Sequence, residues 1–297
     1  MEKPTYKPGT IVESAYDITA GLHDFTLLAA KGTRLIVIGE SGNGLHPIAV
    51  RKASDPNFEF AVSERDIKEP APQELYFGGD THGEFDALDK WNERHEGAVL
   101  IHVGDFGLGF LSRGESVLFH ARQFNERLQG KGNTLYVIRG NHDDPRFFRH
   151  GDSIGDNLHL VKDGTLLELG GKRIYCHGGA ISVDRKQRVP GHSWWAGEHC
   201  DWQGDADKLS QADIVVTHSA GTWSELGVDS PFLQQFHAQD PTLRSELQAE
   251  SAVFDAMRTA ATSATHWFYG HFHRSMRHDD GKTKFRGLGV KEIVQLV

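Results

Sequence analysis

Residues 74–83 read "ELYFGGDTHG", a short run of β-forming side chains that stops at two glycines, an aspartate and a histidine. Alone, Asp80 and His82 describe an ordinary polar turn after a strand, since Asp and Gly supply turn chemistry and a histidine there can simply be solvated. The unit recurs downstream as "AVLIHVGDFG" (98–107), "TLYVIRGNHDD" (134–144), "RIYCHGGA" (173–180), "DIVVTHSAG" (213–221) and "HWFYGHFH" (266–273). Each is an apolar run ending in Gly, Asp or His, the pattern of a buried strand that delivers a polar loop. Between them, "EFDALDKWNERH" (84–95), "GESVLFHARQFNERLQ" (114–129) and "DPTLRSELQAESAVFDAMRTAATSA" (240–264) place apolar residues three to four apart, which predicts helices. Strands alternating with helices imply an α/β architecture, and in such sheets ligands gather at the carboxyl ends of the strands, where all these clusters fall.

The residue types in the clusters suit divalent cations. Two ions about 3.5–4 Å apart are held by nitrogen and oxygen donors, with one carboxylate shared between them. Asp105 is the candidate bridge. Asn141 offers a neutral carbonyl oxygen, which limits the negative charge crowded around the ions. In "GHFH" the two histidines are one residue apart, and on an extended segment alternate side chains share a face, so His271 and His273 are expected to reach one cluster together. The flanking glycines let the backbone turn and approach closely.

In the order "GDTHG", "GDFG", "GNHD", "THSAG", "GHFH", the series resembles the calcineurin-like metallophosphoesterases, over roughly residues 74–297. The resemblance implies a metallophosphoesterase-type β-sandwich flanked by helices, a four-layer αββα fold. It implies one metal on Asp80, His82, Asp105 and His273, and a second on Asp105, Asn141, His218 and His271. His142 is placed beside the ions as general acid or as a donor to the phosphate, oriented by Asp105 or Asp143. His177 of "CHGGAISVD" competes with His218 for the second metal, because protein Ser/Thr phosphatases of the family use a histidine in a similar "HGG"; His218 is favoured, and His177 is then expected to support the ligands from behind or face the substrate, with a structural histidine as the alternative.

The implied reaction is hydrolysis of a phosphomonoester or phosphodiester, of a small molecule or nucleotide, by a hydroxide that bridges two ions. Manganese is the expected metal, with iron, zinc, magnesium and nickel as alternatives for an oxygen and nitrogen ligand set. Arg139, Arg185 and Arg188 are candidate phosphate contacts, because the guanidinium fork suits bidentate phosphate binding. Trp194 and Trp195 are candidates for stacking on a base or aryl group. Protein phosphatases carry an arginine in the second motif that "GDFGLGF" lacks, which counts against protein Ser/Thr phosphatase-like activity, the alternative reading. A binding or regulatory module with a structural metal site is another.

Before residue 74 the rhythm differs. "GTIVESAY", "HDFTLLAA", "TRLIVIGE", "HPIAVRKA" and "FEFAVSE" read as strands of a small all-β module, and "KEPAPQ" (68–73) reads as a linker. The expected division is an accessory module and linker over 1–72 and a phosphoesterase domain over 73–297. The 297 residues suit that organisation. Net charge is −9, which disfavours long nucleic acids as partners. There is no apolar run of membrane-spanning length or secretory h-region, and only two cysteines, so a cytoplasmic protein is expected.

Overall fold

The computed structural model describes residues 6, 11–20, 27–29, 33–41, 45–52, 58–68, 73–110, 114–224 and 230–297. Most of the expected linker, residues 69–72, lies outside the described residues. Internal contacts divide the chain into two compact units, Met1–Gln73 and Glu74–Val297.

The first unit is all β. It contains β1 (Ile11–Ser14), β2 (Ile18–Thr19), β3 (Leu27–Ala29), β4 (Arg34–Glu40), β5 (Ile48–Lys52), β6 (Glu59–Val62) and β7 (Ile67–Lys68). A five-stranded antiparallel sheet runs β6-β5-β4-β1-β7, and β2 pairs with β3. Alternate residues Leu35 and Val37 of β4 join Val12, Ile48, Val50 and Val62 in its core, as the period-two geometry of strands requires. The buried Asp66 carboxylate accepts from the Ser63 amide at 2.7 Å and from the Ser63 and Tyr16 hydroxyls. Burial works against its ionisation, but these hydrogen bonds prevail and hold it below the usual carboxylate range.

The second unit is an αββα sandwich. One sheet contains β8 (Leu75–Gly78), β9 (Val99–His102), β10 (Thr134–Val137) and β11 (Leu158–Leu160), all parallel, and an antiparallel edge strand β18 (Ile293–Gln295), in the order β11-β10-β9-β8-β18. The other contains β12 (Thr165–Leu169), β13 (Lys172–His177), β14 (Ile214–Thr217), β15 (His266–Tyr269), β16 (Met276–Asp279) and β17 (Lys284–Gly287), in the order β12-β13-β14-β15-β17-β16. Strands β13, β14, β15 and β17 are parallel. The helices are α1 (Asp86–Arg94), α2 (Gly114–Lys131), α3 (Ala206–Ser210), α4 (Pro231–Gln239) and α5 (Leu243–Ala260).

The pleat sorts the side chains into layers. Leu75, Phe77, Val99, Ile101, Ile214, Val216 and Phe268 fill the space between the sheets. Their neighbours Tyr76 and Leu100 face α1 and α2, while Val215, Trp267 and Tyr269 face α3 and α5. Strands buried on both faces read as continuous apolar runs, which is why each motif is preceded by one. Phe77 and Phe268 stack across the sandwich with centroids 3.7 Å apart and planes at 2°. On α2, Val117, Ala121, Phe124 and Leu128 supply the buried stripe at helical spacing.

Candidate metal centre

Register brings the loops together. Gly78 pairs with His102, and His102 with Val137, so β8, β9 and β10 end level and release the loops bearing Asp80, Asp105 and Asn141 side by side. In the facing sheet, β14 and β15 release His218, His271 and His273.

Ligand atoms of Asp80, His82, Asp105 and His273 all lie within 4.8 Å of one another. His82 Nε2 faces His273 Nε2 at 3.0 Å, and His273 Nε2 lies 3.4 Å from Asp80 Oδ2. Two imidazole nitrogens held this close repel unless a proton or a shared cation lies between them, so the set fits a divalent ion. A second set adjoins it. His218 Nε2 is 3.2 Å from Asp105 Oδ1 and 3.1 Å from Asn141 Oδ1, and His271 Nδ1 is 2.9 Å from the same Asn141 oxygen. The His218 Nδ1–H donates to the Val103 carbonyl at 2.7 Å, which leaves the Nε2 lone pair for a ligand. Burial opposes protonation of His218, but the Asp105 carboxylate overrides it and pushes the imidazole up to about 9, the same attraction that favours a cation at this position. His218, not His177, is the histidine the structure brings to Asp105 and Asn141.

The backbone is strained at these residues. Among the described non-glycine residues, five have left-handed φ: His82 (49°), Asp105 (56°), His271 (67°), His273 (56°) and Lys291 (58°). Four of the five belong to the two donor sets, and such conformations cost about 1–3 kcal/mol each. This corrects the extended geometry expected for "GHFH": β15 ends at Tyr269, and His271 and His273 are aimed by left-handed turns instead. The cause is distant in sequence, because the His271 amide donates to Asp80 Oδ2 at 3.0 Å. Two glycines make room for the carboxylates. A Cβ on Gly270 would lie 2.2 Å from Asp80 Oδ1, and one on Gly140 would lie 2.1 Å from Asp105 Oδ1.

A hydrogen-bonded frame surrounds His142. Its amide donates to Asp105 Oδ1 at 2.7 Å, its ring stacks on Phe110 at 4.3 Å, and its Nε2 accepts from Arg188 Nη2 at 2.8 Å. Asp143 does not orient it, since that carboxylate accepts the amides of Phe106, Gly107, Leu108 and Gly140. Burial lowers the His142 imidazole to about 4 against the pull of Asp105, and Arg188 adds to the lowering. The Ser182 hydroxyl accepts from Arg188 Nη1 at 2.8 Å and from Asn141 Nδ2 at 3.0 Å, and donates to Glu198 at 2.7 Å. It thereby fixes the Asn141 amide with its oxygen toward His218 and His271. Ser182 and Glu198 carry no motif, and their part in the site emerges only from the fold.

Two of the three arginines expected at the phosphate are committed to other partners. Arg139 is buried, pairs with Asp163 at 2.6 Å and donates to the carbonyls of Gly197, Glu198 and His199. Arg185 is spent on Asp240, Glu246 and Thr242. His177 likewise sits elsewhere, joining Asp163 and Asp201 beside Arg139, with Asp201 Oδ1 3.4 Å from its Nε2. Trp194 Nε1 donates to Glu198 at 3.0 Å and Trp195 is buried, so both tryptophans anchor their loop. Arg188 alone of the three arginines lines the cavity of about 760 Å³ that opens on Asp105, Asn141, His142, His271 and His273. Arg274, directly after "GHFH", also lines it and has no ion-pair partner among the described residues; its position in sequence was the available signal.

The calcineurin-like phosphoesterase family profile matches residues 75–275. A search among curated proteins returned no significant relative. Solved structures similar to the chain include phosphopantetheinyl hydrolase from Mycobacterium tuberculosis, at 13% identity and TM-score 0.40 over 74% of this chain and 92% of that one. Another, from Staphylococcus aureus, is described provisionally as a 5′-nucleotidase and shares 15% identity and TM-score 0.40 over 75% of this chain and 50% of that one. With the profile spanning the strands and loops that carry both donor sets, the chain belongs to the calcineurin-like phosphoesterase family and is a metal-dependent phosphoesterase.

Proposed function

We propose that the chain hydrolyses small phosphomonoesters or phosphodiesters, nucleotides included, using two divalent ions. Asp80, His82, Asp105 and His273 hold the first ion, and Asp105, Asn141, His218 and His271 hold the second. The observation that carries this reading is the splayed Asp105 carboxylate. Its Oδ1 lies 3.2 Å from His218 Nε2 and its Oδ2 3.9 Å from His82 Nδ1, so its two oxygens face histidines of different donor sets. Manganese is the proposed metal for these nitrogen and oxygen donors, and the cytoplasm the proposed location. Residues 1–72 are proposed as an accessory module and linker, and 73–297 as the catalytic domain.

Bound divalent ions would supply Lewis-acid stabilisation of charge on the phosphoryl oxygens and lower the pKa of a coordinated water. The remaining work falls to the chain. Arg188 offers a guanidinium at the cavity wall, and a phosphate entering between it and His142 takes over the hydrogen bond the pair now share. His142, released from Arg188 and set beside the negative charge of the phosphate, gains a proton on Nε2 from solvent and can then donate it to the departing oxygen. Ser182 and Glu198 hold Arg188 and Asn141 in position while this occurs. Asp105 positions the His142 backbone through the 2.7 Å amide bond.

A panel of monoesters, cyclic nucleotides, dinucleoside polyphosphates and phosphoproteins, each assayed with several metals, tests the proposal. Metal-dependent turnover of small esters that Asp105→Asn abolishes is expected. Absence of turnover with every metal and ester would remove the enzymatic reading in favour of a regulatory module. A preference for phosphoproteins would instead favour the protein phosphatase alternative.

A further inference from the structure

One wall of the cavity is unlike the rest. The lining is polar at Asp105, Asn141, His142 and Arg188, but includes Pro231, Phe232, Leu233 and Phe236 of α4, together with Leu247 of α5 and Phe272. Phe232 and Phe236 are four residues apart on one face of α4, with ring centroids 5.4 Å apart in an edge-to-face pair. Phe232 is 64% exposed, an apolar ring left in contact with water beside the candidate centre. Phe272 lies between the ligands His271 and His273 and packs edge-to-face on His271 at 5.1 Å. The apolar wall therefore begins where the phosphoryl group would sit.

We infer that this wall receives the leaving group, and that the substrate is a phosphate ester of a large, ring-bearing hydrocarbon alcohol. The inference rests on the phosphoesterase reading and adds the substrate class. Size supports it, because about 760 Å³ is the volume of a drug-sized ligand site and far exceeds a phosphate group. Chemistry narrows it further. Reading the edge of a nucleobase takes paired donors and acceptors, whereas among the described lining residues the sole amide, Asn141, is turned to the histidines, and Glu250 is occupied by the amides of Ile181 and Cys200. Asp184 pairs with Arg188, and Ser219, Ser230 and Ser251 offer single hydroxyls; the rest of the wall is aromatic and aliphatic surface, which binds apolar rings by burial and edge contacts. Arg274 sits at the same cavity and suits the phosphate rather than the ring. The bond changes are those of hydrolysis: water oxygen forms the new P–O bond, the ester P–O bond breaks, and the alcohol departs with a proton.

The test compares 3-phenylpropyl phosphate with propyl phosphate, and their methyl diesters, whose alcohols differ in size far more than in acidity. The wild-type protein should favour the phenylpropyl ester in kcat/KM by on the order of tenfold or more, from burial of the ring. In the double variant Phe232→Ala/Phe236→Ala the ratio should fall to within about twofold, the loss expected when the burying surface is removed. Calorimetric binding of 3-phenylpropylphosphonate and propylphosphonate to the manganese-loaded protein should show the same ordering without turnover. Equal kcat/KM for the two esters, or equal affinity for the two phosphonates, overturns the inference and leaves the phosphoesterase reading intact. If no ester is hydrolysed yet the ring-bearing phosphonate binds more tightly, the apolar site stands and the phosphoesterase reading falls.

Discussion

Adding one methyl group at Gly270 tests whether the proposed first ion depends on the approach of the Asp80 carboxylate to the backbone of the opposite sheet. The new Cβ would lie 2.2 Å from Asp80 Oδ1 and 2.8 Å from Val103 Cγ2, where ordinary contact begins at 3.4 Å. Moving the oxygen from 2.2 Å to 3.4 Å is a shift of 1.2 Å. Metal–ligand distances tolerate about 0.2 Å, so the displacement is several times what coordination permits. The same movement pulls Asp80 from the His271 amide and from His273 Nε2. Gly270→Ala should therefore weaken one ion by at least about tenfold to hundredfold, the range found when groups that support ligands are disturbed. Overpacking should cost about 1–3 kcal/mol and lower Tm by roughly 5 °C while the fold persists. Equilibrium dialysis at buffered free manganese, with elemental analysis of the protein, provides the assay. One ion per chain is expected where the wild type holds two. Gly130→Ala, in the last turn of α2 with nothing within 4 Å of the added carbon, serves as the control and should keep both ions. Two ions retained in Gly270→Ala at unchanged affinity would refute the reasoning, as would a single ion in the wild type.

Other perturbations separate the roles of the remaining residues. His142→Ala should lower kcat by about 10²–10⁴-fold with metal content unchanged, measured by kinetics and elemental analysis in parallel. Ser182→Ala frees the Asn141 amide to turn its NH₂ toward His218 and should reduce metal affinity by about 10–100-fold, measurable by calorimetric titration. Arg139→Met leaves Asp163 without its buried partner and should cost about 3 kcal/mol in denaturant unfolding while KM hardly moves, the reverse of what a phosphate contact would give. Arg185 holds the Asp240 and Glu246 carboxyls below their usual ranges. Carboxyls with depressed folded values stabilise the protein above their unfolded pKa, and lose that contribution as pH falls through the folded values. The Tm difference between wild type and Arg185→Gln should therefore hold from pH 7 to about pH 5 and shrink below about pH 4.5, and a difference that grows in acid would contradict the assignment.

What was legible in the sequence was the part dictated by metal chemistry. Divalent ions accept few donor types, and the strands that deliver them are apolar on both faces, so the proposed ligands Asp80, Asp105, Asn141 and His218 stood out by their immediate neighbours. What was not legible depended on partners far along the chain. The left-handed turn at His271 is held by the Asp80 carboxylate, 191 positions away in sequence. Arg139 adjoins Asn141, yet its direction is decided by Asp163 and by carbonyls of residues 197–199. Helix α4 did carry a start signal in Ser230 followed by Pro231. Its nine residues leave Phe232 exposed, so no core-facing stripe announced it.

The Phe77–Phe268 stack joins the two sheets, and each proposed ion draws ligands from the loops of both. Neither sheet owns a whole site. Sliding one sheet over the other by a single residue, about 3.3 Å, would separate His218 from Asp105 and His273 from Asp80 together, leaving no partial centre behind. Turnover in this protein is thus a strain gauge for its core: a repacking mutation at Phe77 or Phe268 that leaves every ligand in the sequence can still silence the enzyme, by shifting the alignment of two surfaces that never touch the substrate.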